Sequence, residues 1–88
     1  MNYKPLNKPG SHKTGTLRNL SAADIERILG FPANVKDDPY KVKYSWGFEC
    51  EGKEFGVWSY KGSEKANIFS VYGDPAILAD IFGSKNLN

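Results

Sequence analysis

From Tyr40 to Cys50 the chain alternates without a break. Tyr40, Val42, Tyr44, Trp46, Phe48 and Cys50 fall on one face of an extended chain, and Lys41, Lys43, Ser45, Gly47 and Glu49 on the other. A period of two marks a half-buried antiparallel strand. Glu51-Gly52-Lys53 predicts a tight turn into a second strand from about Glu54 to Lys61. A two-residue loop is either Glu51-Gly52 or Gly52-Lys53, and both choices pair even residues of the first strand with odd residues of the second. Phe55 and Val57 then join the core face, while Gly56, Trp58 and Tyr60 join Lys41 and Lys43 on the opposite face. A β-bulge would overturn that parity. Lys61–Ala66 reads as a looser turn before a third strand, from about Asn67 to Tyr72. Both faces of that strand carry apolar residues. Phe69 and Val71 are expected to point inward, with Ile68 and Tyr72 outward.

Two helices flank these strands. In Leu20-Ser21-Ala22-Ala23-Asp24-Ile25-Glu26-Arg27-Ile28-Leu29-Gly30-Phe31-Pro32, Ser21 is placed to cap the N-terminus and Asp24 to complete a capping box. Ile25, Ile28 and Leu29 make the apolar stripe, and Gly30 and Pro32 end the helix. The second helix opens on Asp74 as N-cap with Pro75 as first helical residue, and Gly83 closes it. Ile77, Leu78, Ile81 and Phe82 supply its apolar face. The expected fold is α+β: a two-layer αβββα arrangement, with a three-stranded antiparallel sheet and both short helices packed on one face. Residues 20–83 form this single domain. Residues 1–19 read as a basic extended leader, broken by Pro5, Pro9, Gly10 and Gly15, with Tyr3, Leu6 and Leu17 as its only apolar anchors. Part of the leader is free to lie across the sheet or pair with an edge. Residues 84–88 read as a polar tail.

Eighty-eight residues hold one thin core. The 14% aromatic share suits that task, because large rings fill a small interior efficiently. The single cysteine, Cys50, forms neither an internal disulfide nor a thiolate zinc site, so packing must hold the fold. A cytoplasmic setting is the expectation, with no membrane span and no secretory signal. The formal charge of +2 is unevenly spread. Residues 1–20 carry four bases and no acid, whereas residues 21–88 carry eight bases and ten acids.

Candidate chemistry is sparse. His12, the only histidine, sits in the leader, and nothing in the sequence fixes it beside Cys50 or an acid. Glu49 and Glu51 share a strand face and could chelate a cation, but a calcium or magnesium loop supplies more oxygen ligands. Asp37-Asp38-Pro39 reads as turn chemistry. Lys61-Gly62-Ser63 lacks the context of a phosphate loop. No catalytic residue, metal or cofactor is assigned, and the chain is read as a non-enzyme. The outer sheet face is the candidate binding surface: Trp58, Tyr60 and Tyr72 beside Lys41 and Lys43. Aromatics next to bases suit a protein partner, where Trp and Tyr dominate hot spots, or nucleic acid, through stacking and phosphate contact. The plain structural reading, ranked between the protein partner and nucleic acid, is that the leader folds over this face and buries it. The αβββα order matches that of double-stranded-RNA-binding domains. Those domains place bases at the start of the second helix, and Asp74-Pro75-Ala76-Ile77-Leu78-Ala79-Asp80 has none.

The stretch Ile28-Leu29-Gly30-Phe31, Asp37-Asp38-Pro39, Lys41-Val42, Ser45-Trp46-Gly47-Phe48, Val57 to Ser63 and Phe69 to Gly73 resembles small uncharacterised proteins of phages and mobile elements. The resemblance spans about residues 20–83. It brings no activity or site residue with it. It implies a setting, the host cytoplasm, and a mode of action, binding and blocking a host or defence protein. The expected function is therefore a small non-enzymatic binding protein acting through the sheet face or the hairpin tip. The alternative is nucleic-acid or nucleotide binding through the basic leader and the aromatic and lysine residues of the sheet.

Overall fold

A computed structural model describes residues 2–88. The hydrophobic pattern produces an antiparallel sheet of five strands with two helices, so the α+β class holds while the expected three-stranded sheet is corrected. In chain order the elements are β1 (Lys4–Pro5), β2 (Gly15–Arg18), α1 (Ala22–Leu29), β3 (Val42–Cys50), β4 (Lys53–Tyr60), β5 (Ile68–Tyr72) and α2 (Pro75–Phe82). Their order across the sheet is β1-β3-β4-β5-β2. Both added strands come from the leader. β1 pairs with the outer side of β3, and β2 pairs with β5 at the other edge. Sparse apolar residues hid them, because an edge strand needs backbone partners more than a hydrophobic face.

Local chemistry sets the helix ends as expected. Ser21 Oγ accepts from Asp24 N at 3.1 Å, and Ser21 N donates to Asp24 Oδ2 at 2.9 Å. Gly30 takes the left-handed conformation at φ 90° and closes α1. Asp74 Oδ1 accepts from Ala76 N and Ile77 N at the start of α2. Ile25 and Leu29 of α1 join Leu78, Ile81 and Phe82 of α2 in one cluster with Trp46, Phe48, Phe55, Val57, Phe69 and Val71 of the sheet. Register builds this face in rows. Phe48 opposes Phe55 with rings stacked at 5.3 Å, and Trp46 opposes Val57, which opposes Val71. Trp46 Nε1 donates to Phe31 O at 3.1 Å, which satisfies the buried indole. Phe69 and Val71 do face inward.

The hairpin turn is Glu51-Gly52, both residues at positive φ, with Cys50 opposite Lys53. Glu51 therefore lies in the turn, and it does not share a strand face with Glu49. Parity holds from Cys50 back to Tyr44 and then breaks. Tyr44 opposes Ser59 but Val42 opposes Tyr60, so Lys43 is the extra residue of a β-bulge. Val42, expected in the core, is turned to the outer face beside Tyr60. Tyr40 is outside the strand and 86% exposed, where the alternation had placed it in the core. The expected polar tail is also anchored. Ser84–Asn86 form a 3-10 turn, Leu87 bridges to Leu17, and Asn88 N donates to Thr16 O at 2.9 Å.

Residues 6–14 connect the two edge strands, so they must cross the sheet. They do so over the outer face. Leu6 N donates to Gly47 O at 2.9 Å, and Thr14 N donates to Val71 O at 2.8 Å at the far side. The path is open because Gly47 opposes Gly56 across β3 and β4. A Cβ at Gly56 would lie 2.9 Å from Gly10 Cα, and one at Gly47 would run into the carbonyl oxygens of Leu6 and Lys8. Gly10 is confined in turn, since a Cβ there would lie 2.6 Å from the Trp58 ring and 3.0 Å from Tyr72 Cβ.

Two outcomes follow. Gly56→Ala should lower unfolding free energy by about 1–3 kcal/mol, the usual range for overpacking, and red-shift Trp58 fluorescence as the crossing segment lifts. A variant as stable as the parent in urea, with unchanged emission, would contradict the crossing. The Ser21 and Arg27 contacts hold the Asp24 carboxyl at about 2, below its ordinary 3.8. Its contribution is complete above the ordinary value and disappears as pH falls through the folded one. The melting temperature should therefore drop over that acid window, with Asp74 adding to the fall because Lys53 also lowers its pKa. Asp24→Asn should flatten the drop.

Candidate functional site

The crossing segment decides which part of the outer face stays available. Trp58 lies between two small residues, Ser45 and Ser70, and is only 8% exposed beneath the segment. It is a structural residue of that face. Tyr72 sits on the far side of the crossing, where the His12 ring meets it edge-on at 5.2 Å. Tyr60 is left 50% exposed and shares a groove with the segment. Among the described residues Tyr60 and Tyr40 are the large hydrophobics left exposed, Tyr60 ending β4 and Tyr40 two residues before β3 at the open end of the hairpin.

Two adjoining grooves meet at this corner. One, of about 340 Å³, is lined by residues 9–13 of the crossing segment, by Asp37, Asp38, Lys41 and Val42, and by Trp58 and Tyr60 of β4. The other, of about 450 Å³, shares Val42 and Asp37 and is lined by Lys36, Lys43 and Lys61. Of the five sequence-derived candidates, the fold gathers Trp58, Tyr60 and Lys41 in one groove and Lys43 in its neighbour. Tyr72 faces a different depression, with Thr14, Lys53 and Asp74. Sequence reasoning missed Val42, Lys13, Lys36, Lys61 and Tyr40 at the corner. The Lys43 bulge that turns Val42 outward has no signature in the residue types around it.

Charge is sorted along the hairpin. Its tip holds Glu49, Glu51 and Glu54, of which Glu49 is the strand partner of Lys4 and Glu54 pairs with Lys8, Nζ to Oε1 2.8 Å. Lys53 pairs with Asp74 at 2.8 Å. At the open end, Lys13, Lys36, Lys41, Lys43 and Lys61 take part in no ion pair among the described residues. The two acids there are engaged locally. Asp37 Oδ2 accepts from Ser45 Oγ at 3.0 Å, and Asp38 Oδ1 accepts from Tyr40 N at 2.9 Å. Turn chemistry therefore accounts for this acidic pair.

The groups considered for catalysis lie apart. Cys50 belongs to the core on the helix side of the sheet, and His12 lies on the opposite side. Burial, aided by the Glu51 charge, pushes the Cys50 thiol up, away from the reactive thiolate. Among the described residues no three His, Cys, Asp or Glu side chains gather as metal ligands would. No helix is long and apolar enough to cross a membrane among those residues. No protein-family model, curated protein or solved structure matches the chain.

Alkylation of Cys50 at neutral pH should be as slow as global unfolding in the native protein and immediate in denaturant. Fast labelling of the folded chain would contradict the burial described above.

Proposed function

We propose that this chain is a small non-enzymatic binding protein that docks another protein through the open end of the β3–β4 hairpin. The observation that carries the reading is the exposure of Tyr60 beside grooves lined by lysines that take part in no ion pair among the described residues, with exposed Tyr40 next to Lys41 in the chain. Exposed tyrosines offer large contact area at little entropic cost, and such residues anchor protein interfaces. The resemblance to phage and mobile-element proteins adds a setting: a phage-type accessory protein that acts on a host or defence protein in the host cytoplasm.

Nucleic-acid binding is the second reading, because tyrosines beside lysines also suit stacking and phosphate contact. The fold weakens its other support. The basic leader is tied down as two strands and a crossing, with Lys8 spent on Glu54 and Lys4 beside Glu49. An electrostatic arm free to follow a phosphate backbone is no longer part of that reading.

A photo-crosslinking amino acid at position 60 tests the leading reading, with one at exposed Glu26 on α1 as control. Position 60 should yield a discrete protein adduct in cells that position 26 does not. Equal labelling from both positions, or none from either, would remove the proposed surface. Once the adduct is identified, Tyr40→Ala with Tyr60→Ala should weaken its binding about tenfold or more. Trp58→Ala is unsuitable for this purpose, since it would damage the fold.

A further inference from the structure

We infer that the partner meets this corner with an acidic patch, carboxylates set around an apolar or aromatic residue; this rests on the protein-docking reading above. Five lysines surround the two grooves, and the fold's ion pairs lie elsewhere. Lys43 Nζ lies 5.8 Å over the Tyr44 ring, and Asp37 and Asp38 stand among the lysines, so the corner is basic by five charges to two and suits an acidic partner surface. Val42 and Tyr60 form the apolar centre. The arrangement has the anatomy of a protein interface: an apolar middle within a charged rim.

The sign pattern separates a protein from a nucleic acid. A phosphate backbone carries uniform negative charge and is best tracked by a surface of one sign. Here Asp37 stands in the walls of both grooves and Asp38 in one, between the lysines. A rim of both signs fits a protein surface, which carries hydrogen-bond donors among its acids. Neither sheet edge offers an easy strand addition. β1 is two residues long, with Asn34 and Val35 bonded to β3 beyond it, and Leu87 bridges to β2. Recognition would therefore use side chains at the corner.

The test uses the full chain and two probes, an acidic peptide with a central phenylalanine flanked by Glu and Asp, and an oligothymidylate of equal charge. Amide shifts are followed by NMR at low and at moderate salt. The peptide should shift the amides of Lys41, Val42, Tyr60 and Lys61, and its affinity should fall with salt. Replacing Lys41, Lys43 and Lys61 together by Gln should weaken it about tenfold, as three rim charges of modest individual strength imply. Unchanged core amides in that variant show that the fold survives. Equal or tighter binding of the oligothymidylate at the same amides overturns the inference in favour of nucleic acid. Absence of shifts at the corner, or peptide affinity indifferent to the three substitutions, overturns it outright. A position-60 adduct whose yield ignores those substitutions leaves protein docking standing and removes only the acidic patch. Loss of the adduct on those substitutions, with core amides unchanged, supports the acidic patch, whereas absence of any position-60 adduct from the parent protein removes the docking reading.

Discussion

Three glycines meet where the N-terminal segment crosses the sheet, and the rest of the architecture depends on that meeting. Gly47 and Gly56 face each other across β3 and β4; the Leu6 and Lys8 carbonyls lie over Gly47, and Gly10 lies over Gly56 between Trp58 and Tyr72. Side chains hold strand surfaces apart from whatever packs on them. A backbone can lie directly on a sheet only where those side chains are missing. The close approach allows the leader to start at one edge of the sheet and finish at the other. It thereby converts a three-stranded meander into a five-stranded sheet.

Polar contacts then hold the crossing in place. The Asn34 amide brackets Gly47, donating to its carbonyl and accepting from its N–H at 3.0 Å each. Asn7 Oδ1 accepts from Lys36 N at 3.1 Å, tying the crossing to the loop after α1. At the far end Thr14 Oγ1 exchanges hydrogen bonds with Gly73. The segment thus satisfies backbone groups that a bare edge would leave to water. It also buries Trp58, whose indole would otherwise be the largest apolar group on the surface. One element supplies edge pairing, cover for the outer face and one wall of the candidate groove.

The functional reading follows from what the crossing leaves open. A leader that covered the entire outer face would leave no aromatic surface. A free leader would expose Trp58 and Tyr72 along with Tyr60. The observed path separates these residues, with Tyr60 on one side and Tyr72 on the other. The Lys43 bulge adds Val42 to the open side. Glu54 near the hairpin tip and Asp74 at the N-cap of α2 hold Lys8 and Lys53 in ion pairs, and Lys4 lies opposite Glu49. The remaining lysines at the open end are left without such partners, so charge and exposed aromatics coincide.

Much of the fold was legible in the residues. Ser21 with Asp24, Asp74 with Pro75, and the closing glycines define both helices through contacts a few residues apart. The alternation from Tyr44 to Cys50 defines the inner face because side-chain direction follows from strand geometry. Phe55, Val57, Phe69 and Val71 were placed correctly by the same rule. The edge strands, the bulge, the anchored C-terminus and the split among the aromatics were settled by tertiary structure alone. Each depends on backbone groups meeting others distant in sequence. A peptide unit offers the same donor and acceptor whatever its side chain, so residue types carry little record of its partner. Trp58 and Tyr60 read alike in the sequence, and a glycine far upstream decides that one is buried while the other stays open to solvent.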